Sequence, residues 1–308
     1  MPTSAADFEL YRQMQRIRRF EETVLEAFPR GEFYGTTHTY VGQEANAVGV
    51  LSGIADGDVV VSNHRCHGHF LAYGGSMDAL AAELMGRQTG VCGGRSGSQH
   101  IQWKDFYANG ILGGTLPLAV GMALSEKRAG LGRVVIAFLG DGTLGEGITY
   151  ESLNMAALWG LPVAFILEDN RYAQTTPLRL NLAGEMAGRF TAFGIPLVEA
   201  DTTDVLEIQA IGEKAISHVR SGAGPFATIL HTYRFAPHSK GDDTRDPAEV
   251  AHYRERDPLP LQGRRLDEAT RRDVEKIVET EVEEAFRRAA GAPPADPSRL
   301  TEPLSGYA

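Results

Sequence analysis

Asp141 and Asn170 are the residues whose types and spacing point most directly to chemistry. Asp141 lies in Gly140-Asp141-Gly142-Thr143-Leu144-Gly145, directly after the apolar, β-branched run 133–139. These six residues fit the G-x-G-x-x-G pattern of a dinucleotide-binding turn between a strand and a helix. Their charge argues otherwise. A carboxylate at the second position would repel a pyrophosphate held by the flanking glycines, unless a cation stood between them. The acidic residue that a dinucleotide fold carries about 20 residues further on is also not at that spacing. The run 163–167 then leads into Glu168-Asp169-Asn170, so Asn170 follows Asp141 by 29 positions. In a right-handed strand–helix–strand unit the two strand ends are neighbours. One carboxylate and one amide oxygen thus converge. Such hard donors suit Mg²⁺, which completes its octahedron with phosphate oxygens and water. The backbone amides of Gly142 and Thr143 can approach the same phosphates at the start of the next helix.

A second group of reactive side chains surrounds this one in sequence. His38, His64, Arg65, His67 and His69 fall in a glycine-rich stretch, 31–114, and His238 lies far downstream. Histidines titrate near neutrality and suit proton transfer or carboxylate positioning. Taken singly, each is more often a core or surface residue. His64, His67 and His69 would suit zinc only with a cysteine or carboxylate in register, and that pattern is missing.

The elements that must position these groups are legible from the apolar pattern. Phe8, Tyr11, Met14, Ile17, Phe20 and Val24 recur at helical spacing. Short helical runs, Glu44–Leu51 and 77–85, are expected among loops in 31–114. From residue 116 the pattern alternates: helix 116–129, strand 133–139, helix 145–159, strand 163–167, strand 196–200, helix 205–219 and strand Phe226–His231. Alternation of this kind predicts an α/β fold, a parallel sheet with helices on both faces, and ligands at the carboxyl ends of its strands. The polar stretch 233–260 reads as a long surface loop, and 267–288 as one amphipathic helix. The Pro-rich tail from Gly291 reads as loosely held. Two units are expected, 1–265 carrying the site and 266–308 comprising the last helix and tail.

Bulk properties exclude several classes. The 308 residues carry a formal net charge of −10, which argues against a broad nucleic-acid surface. No stretch reaches the roughly 18–20 apolar residues of a membrane helix, and the first residues show no apolar signal region. Cys66 and Cys92 are the only cysteines. They form no framework and suit a reducing cytoplasm.

Gly-Asp-Gly followed by Asn-Asn at the end of the next strand is the diphosphate–metal motif of thiamine-diphosphate enzymes. This chain resembles it, with Asp169 in place of the first Asn. Flanking segments extend the resemblance to the alpha subunit of the decarboxylating component of 2-oxo acid dehydrogenases. His38-Thr39-Tyr40-Val41-Gly42-Gln43-Glu44-Ala45, His64-Arg65-Cys66-His67-Gly68, Gly97-Ser98-Gln99-His100, Gly110-Ile111-Leu112-Gly113, Asn154–Trp159 and Tyr233–Ser239 match that family's segments in order. The chain departs from them at His64, where the family has Tyr, and at Ala236-Pro237 before His238.

The resemblance implies a thiamine-diphosphate-binding fold. It adds the backbone carbonyl of Tyr172 to Asp141 and Asn170 as the third Mg²⁺ ligand. It places Arg65, with His64 before it, and the backbone of Gly110 and Leu112 among the cofactor contacts. His38 and His238 become the catalytic histidines. A 2-oxo acid would be decarboxylated and its acyl group passed to a lipoyl carrier of an acyltransferase. The partner would be a beta subunit that supplies the activating glutamate within an α₂β₂ heterotetramer. Two other readings remain open: transfer of the carbanion to an aldehyde or ketone, as in acyloin synthases and transketolases, and a non-catalytic dinucleotide-binding module.

Overall fold

The computed structural model describes residues 4–299 apart from 34, 240 and 242. Its centre is a seven-stranded sheet. Strands β1 (Val59–Ser62), β2 (Gln102–Trp103), β3 (Phe106–Ala108), β4 (Val135–Gly140) and β5 (Val163–Asp169) come first. After the small hairpin β6 (Tyr172–Ala173) and β7 (Thr176–Pro177), β8 (Leu197–Ala200) and β9 (Phe226–His231) complete the sheet. The order is β2-β3-β1-β4-β5-β9-β8. Every pairing is parallel except β2 with β3. The α/β class and the parallel sheet are therefore as expected.

Alternating side chains feed two cores, as strand geometry demands. Ile136, Phe138, Ala164 and Ile166 face one side. They pack with α1 (Ala5–Ala27), α2 (Glu44–Leu51), α3 (Cys66–Ala72) and α4 (Met77–Leu84). Val135, Ala137, Leu139, Val163, Phe165 and Leu167 face the other. There they meet α5 (Thr115–Ala129), α6 (Gly147–Leu158) and α7 (Met186–Thr191). Helices α8 (Val205–Arg220), α9 (Pro247–Arg254), α10 (Pro258–Gly263) and α11 (Glu268–Gly291) follow. α11 buries Val274, Val278, Val282 and Phe286 at helical spacing and joins the first core. Among the described residues, no helix is long and apolar enough to cross a membrane.

Three expectations need correction. The stretch 31–114 contains a central strand, β1. Its Val59-Val60-Val61 is buried on both faces, so it shows no polar alternation. The stretch 233–260 is not one surface loop. It holds α9 and α10, capped by Asp246 and Asp257, each followed by a proline in the first turn. Those Asp-Pro pairs are helix-start signals. Tyr233, Arg234, Phe235, Ala236 and Arg245 are also buried. The start of the tail is pinned: Gln88 N–H donates to Pro293 O at 2.9 Å and Ala295 N–H to Gly86 O at 2.9 Å. Residues 300–308 lie outside the described residues.

Candidate cofactor site

Parallel pairing sends the carboxyl ends of β3, β1, β4, β5 and β9 to one edge of the sheet. β3 leads to Gly110 and Leu112, β1 to His64 and Arg65, and β9 to the segment carrying His238. Register pairs Gly140 of β4 with Glu168 of β5, which leaves Asp141 beside Asp169-Asn170. A cavity of about 320 Å³ opens at this edge, lined by eleven of the twelve expected residues: His38, His64, Arg65, Gly110, Leu112, Gly140, Asp141, Gly142, Asn170, Tyr172 and His238. The twelfth, Thr143, is buried beside it in a short 3₁₀ turn, Asp141–Gly145, that precedes α6. Gln99, Glu146, Ala173 and Gln174 complete the lining. A larger cavity, about 470 Å³, shares only Tyr172 with this one and lacks its converging donors.

The metal-side donors are held from beneath. Asp141 Oδ1 accepts from Gly142 N–H at 2.7 Å, and Oδ2 is buried without a donor. Asn170 Nδ2 donates to Gln43 at 3.3 Å, and its Oδ1 accepts from Tyr172 N–H at 3.3 Å. Burial and the neighbouring Asp169 carboxylate push Asp141 up to about 7. Burial acts in the same sense on Asp169, but bonds from His231 and from Arg171 N–H outweigh it and hold this group below the usual carboxylate range. His231 sits between two carboxylates, Asp169 at 2.8 Å and Glu199 at 2.9 Å, and the Asp169 bond raises its pKa first of all. Two adjacent acids that cannot easily share negative charge await a cation. Asp141 Oδ2, Asn170 Oδ1 and the Tyr172 carbonyl would offer hard oxygens of the kind that Mg²⁺ prefers. The residues present therefore fit a metal-bridged diphosphate.

Anionic ligands also find counter-charge here. Arg65 is buried and makes no ion pair among the described residues. Nη1 donates to Thr39 O at 2.8 Å, Nη2 meets His238 Nδ1 at 3.1 Å, and Nε has no partner. Burial and then Arg234 depress its pKa. A guanidinium does not give up its proton in proteins, so Arg65 stays a buried cation that an anionic ligand would neutralise. Neighbouring side chains crowd two glycines. A Cβ on Gly142 would lie 2.9 Å from the Ala173 methyl, and one on Gly110 would lie 2.4 Å from Gln99 Oε1. Glu146 fixes the turn before α5 by accepting from Gly113 N–H at 3.0 Å.

The three histidines meet although sequence separates them. The His38 ring centroid lies 4.8 Å from His64 and 4.5 Å from His238. The segment bearing His238 is braced by arginines. Arg245 donates to Arg234 O at 2.6 Å and Ala236 O at 2.9 Å, and Arg234 donates to Gln174 O at 2.5 Å. The arrangement of His64 with His67 and His69 as a zinc site does not form. His67 bridges Glu21 and Ser98, while His69 bridges Ser62 and Tyr40. Both are buried framework residues. Gln99, Glu146 and Gln174 were not expected in the site. Gln99 and Glu146 stand inside or beside the motifs that located it, Gly97–His100 and Gly140–Gly145. Gln174 follows Tyr172 by two positions in the β6–β7 turn, and nothing local in the sequence announces it.

Comparison with known proteins places this geometry. Residues 12–298 match the family described as Dehydrogenase E1 component. The chain is 38% identical to the alpha subunit of acetoin:2,6-dichlorophenolindophenol oxidoreductase of Bacillus subtilis (strain 168), over 97% of this chain and 93% of that one. It is 38% identical to the pyruvate dehydrogenase E1 component subunit alpha of Rhizobium meliloti (strain 1021), over 94% and 86%. With the corresponding subunit of Zymomonas mobilis identity is 39%, over 97% and 88%. The strand-edge cavity and a match along nearly the whole chain agree: the chain belongs to the dehydrogenase E1 component family, among its alpha subunits.

Proposed function

We propose that this chain is the alpha subunit of a thiamine-diphosphate-dependent 2-oxo acid dehydrogenase, one that decarboxylates its substrate and passes the acyl group to a lipoyl carrier. Family membership implies thiamine diphosphate and a beta-subunit partner. The metal, the residue roles, the lipoyl carrier and a cytoplasmic setting are our reading. One observation carries it: eleven separately expected residues line a single cavity.

In this reading Asp141, Asn170 and the Tyr172 carbonyl hold Mg²⁺, and Arg65 neutralises the diphosphate with a charge-assisted contact. Gly140 and Gly142 leave the phosphates room. The Gly110–Leu112 backbone receives the aminopyrimidine ring. When bound, thiamine diphosphate supplies the nucleophilic carbon and the electron sink for loss of CO₂. His38 and His238 hold the substrate carboxylate and move protons beside it. The activating glutamate comes from the beta subunit. An apolar outer surface supports that partner. Leu118, Met155, Leu158 and Trp159 are exposed on and beside α5 and α6. Apolar patches of this kind mark protein contacts.

The test is the co-expressed alpha–beta pair assayed with 2-oxo acids, with and without a lipoyl protein. CO₂ release with lipoyl-dependent acyl transfer is expected. Transfer to an aldehyde without lipoyl dependence would instead support an acyloin-forming or transketolase-like enzyme.

A further inference from the structure

His64 brings a third imidazole to stand with His38 and His238. The three offer ring nitrogens within 4.8 Å of one another. That spacing alone would admit a transition metal, but the surroundings oppose one. A guanidinium only donates, so the 3.1 Å contact from Arg65 Nη2 makes His238 Nδ1 an acceptor and leaves the ring proton on Nε2. A dication would also face Arg65 and Arg234, both buried. The cluster is therefore built for directional hydrogen bonds to an uncharged or anionic ligand.

His64 Nδ1 is buried and without a hydrogen-bond partner among the described residues. Burial first, then Arg65 and the other two imidazoles, hold its pKa well below the ordinary histidine value. The ring stays neutral, with one N–H and one lone pair. The cavity that it lines has few apolar side chains, Leu112 and Ala173 against Gln99, Glu146 and Gln174. An alkyl group placed there would leave a buried polar atom unpaired, which costs more than a hydrogen bond gains.

Resting on the dehydrogenase reading above, we propose that His64 is a specificity-determining substrate contact. It favours 2-oxo acids carrying a hydrogen-bonding group on the carbon next to the carbonyl over their alkyl counterparts. A hydroxyl replaces a methyl at nearly the same volume, so 3-hydroxypyruvate and 2-oxobutanoate isolate the effect.

The experiment uses the alpha–beta holoenzyme. Decarboxylation kcat/KM for the two acids is expected to favour 3-hydroxypyruvate by about tenfold or more. His64→Phe removes that preference and His64→Asn keeps part of it. Calorimetry with two unreactive acids gives a second readout. D-glycerate binds more tightly than 2-hydroxybutanoate to the wild type, but not to His64→Phe. Both variants keep the wild-type circular dichroism and co-purify with the beta subunit, which shows that the fold is intact. Equal kcat/KM values, an alkyl preference, or a ratio untouched by His64→Phe overturns the proposal while leaving the dehydrogenase reading standing. Stoichiometric Zn²⁺ binding that His64→Phe abolishes also overturns it. Failure to turn over any 2-oxo acid with cofactor bound sinks the dehydrogenase reading itself, and this inference with it.

Discussion

Asp169 shows how one residue resets its neighbourhood. It stands where the resembling motif has Asn, and it brings a carboxylate against Asp141. The chain answers with His231, held between Asp169 and Glu199. Because the folded pKa of His231 is raised above the ordinary 6.5, its charge contributes stability that is fully present below about pH 6.5 and fades as pH rises through the raised value. Thermal melts of the wild type and His231→Gln should therefore differ most near about pH 5.5 and converge near about pH 9. A difference that grows with pH would contradict this assignment. A second buried charge anchors the entrance to α2. Glu44 has a fully buried side chain paired with Arg18 at 2.6 Å, and it also accepts from Gly42 N–H. Glu44→Ala leaves Arg18 with Asp257 alone and should cost about 3 kcal/mol or more, read as a lower urea midpoint with unchanged slope. At this scale the meeting of Asp141 and Asn170 was legible from the strand ends that carry them, whereas Arg65 stood out only through the resemblance and is buried where its type alone suggests exposure. The partnership of Asp169 with His231 was not, since it depends on β5 and β9 lying side by side.

Elements carry the site through close approach. α2 and α8 pack through glycines: a Cβ on Gly212 would lie 2.8 Å from Val50 Cα, and one on Gly49 would lie 2.7 Å from Ile208. Gly212→Val must push the helices apart and should destabilise the fold by about 1–3 kcal/mol. A lowered melting temperature, with far-UV helix signal retained, is the check. The strands from 133 onward were readable because long buried runs separated by amphipathic helices have few other solutions. β1 was hidden by its brevity and by burial on both faces. α9 was hidden by its weak apolar periodicity and α10 by its brevity, six residues, although the Asp246-Pro247 and Asp257-Pro258 caps were visible. The bracing of 234–236 by Arg245 depends on contacts 9 and 11 residues away in sequence, and no local pattern encodes them.

The whole molecule reads as half of a functional unit. Its helices α5 and α6 expose apolar side chains, among them Leu158 at 73%. Leu158→Glu should leave the chain folded, by circular dichroism, yet weaken its co-purification with the beta subunit. Retention of a full-strength complex would move the interface elsewhere. The central claim is that Asp141 and Asn170 bind thiamine diphosphate through a divalent cation at the sheet's carboxyl edge. The most direct test is calorimetric titration of the alpha–beta pair with thiamine diphosphate, with and without Mg²⁺, for the wild type and Asp141→Asn. Mg²⁺-dependent binding that weakens about 100-fold or more in the variant is expected. Binding indifferent to Mg²⁺ and to Asp141→Asn, or metal-free binding of NAD in its place, would contradict it.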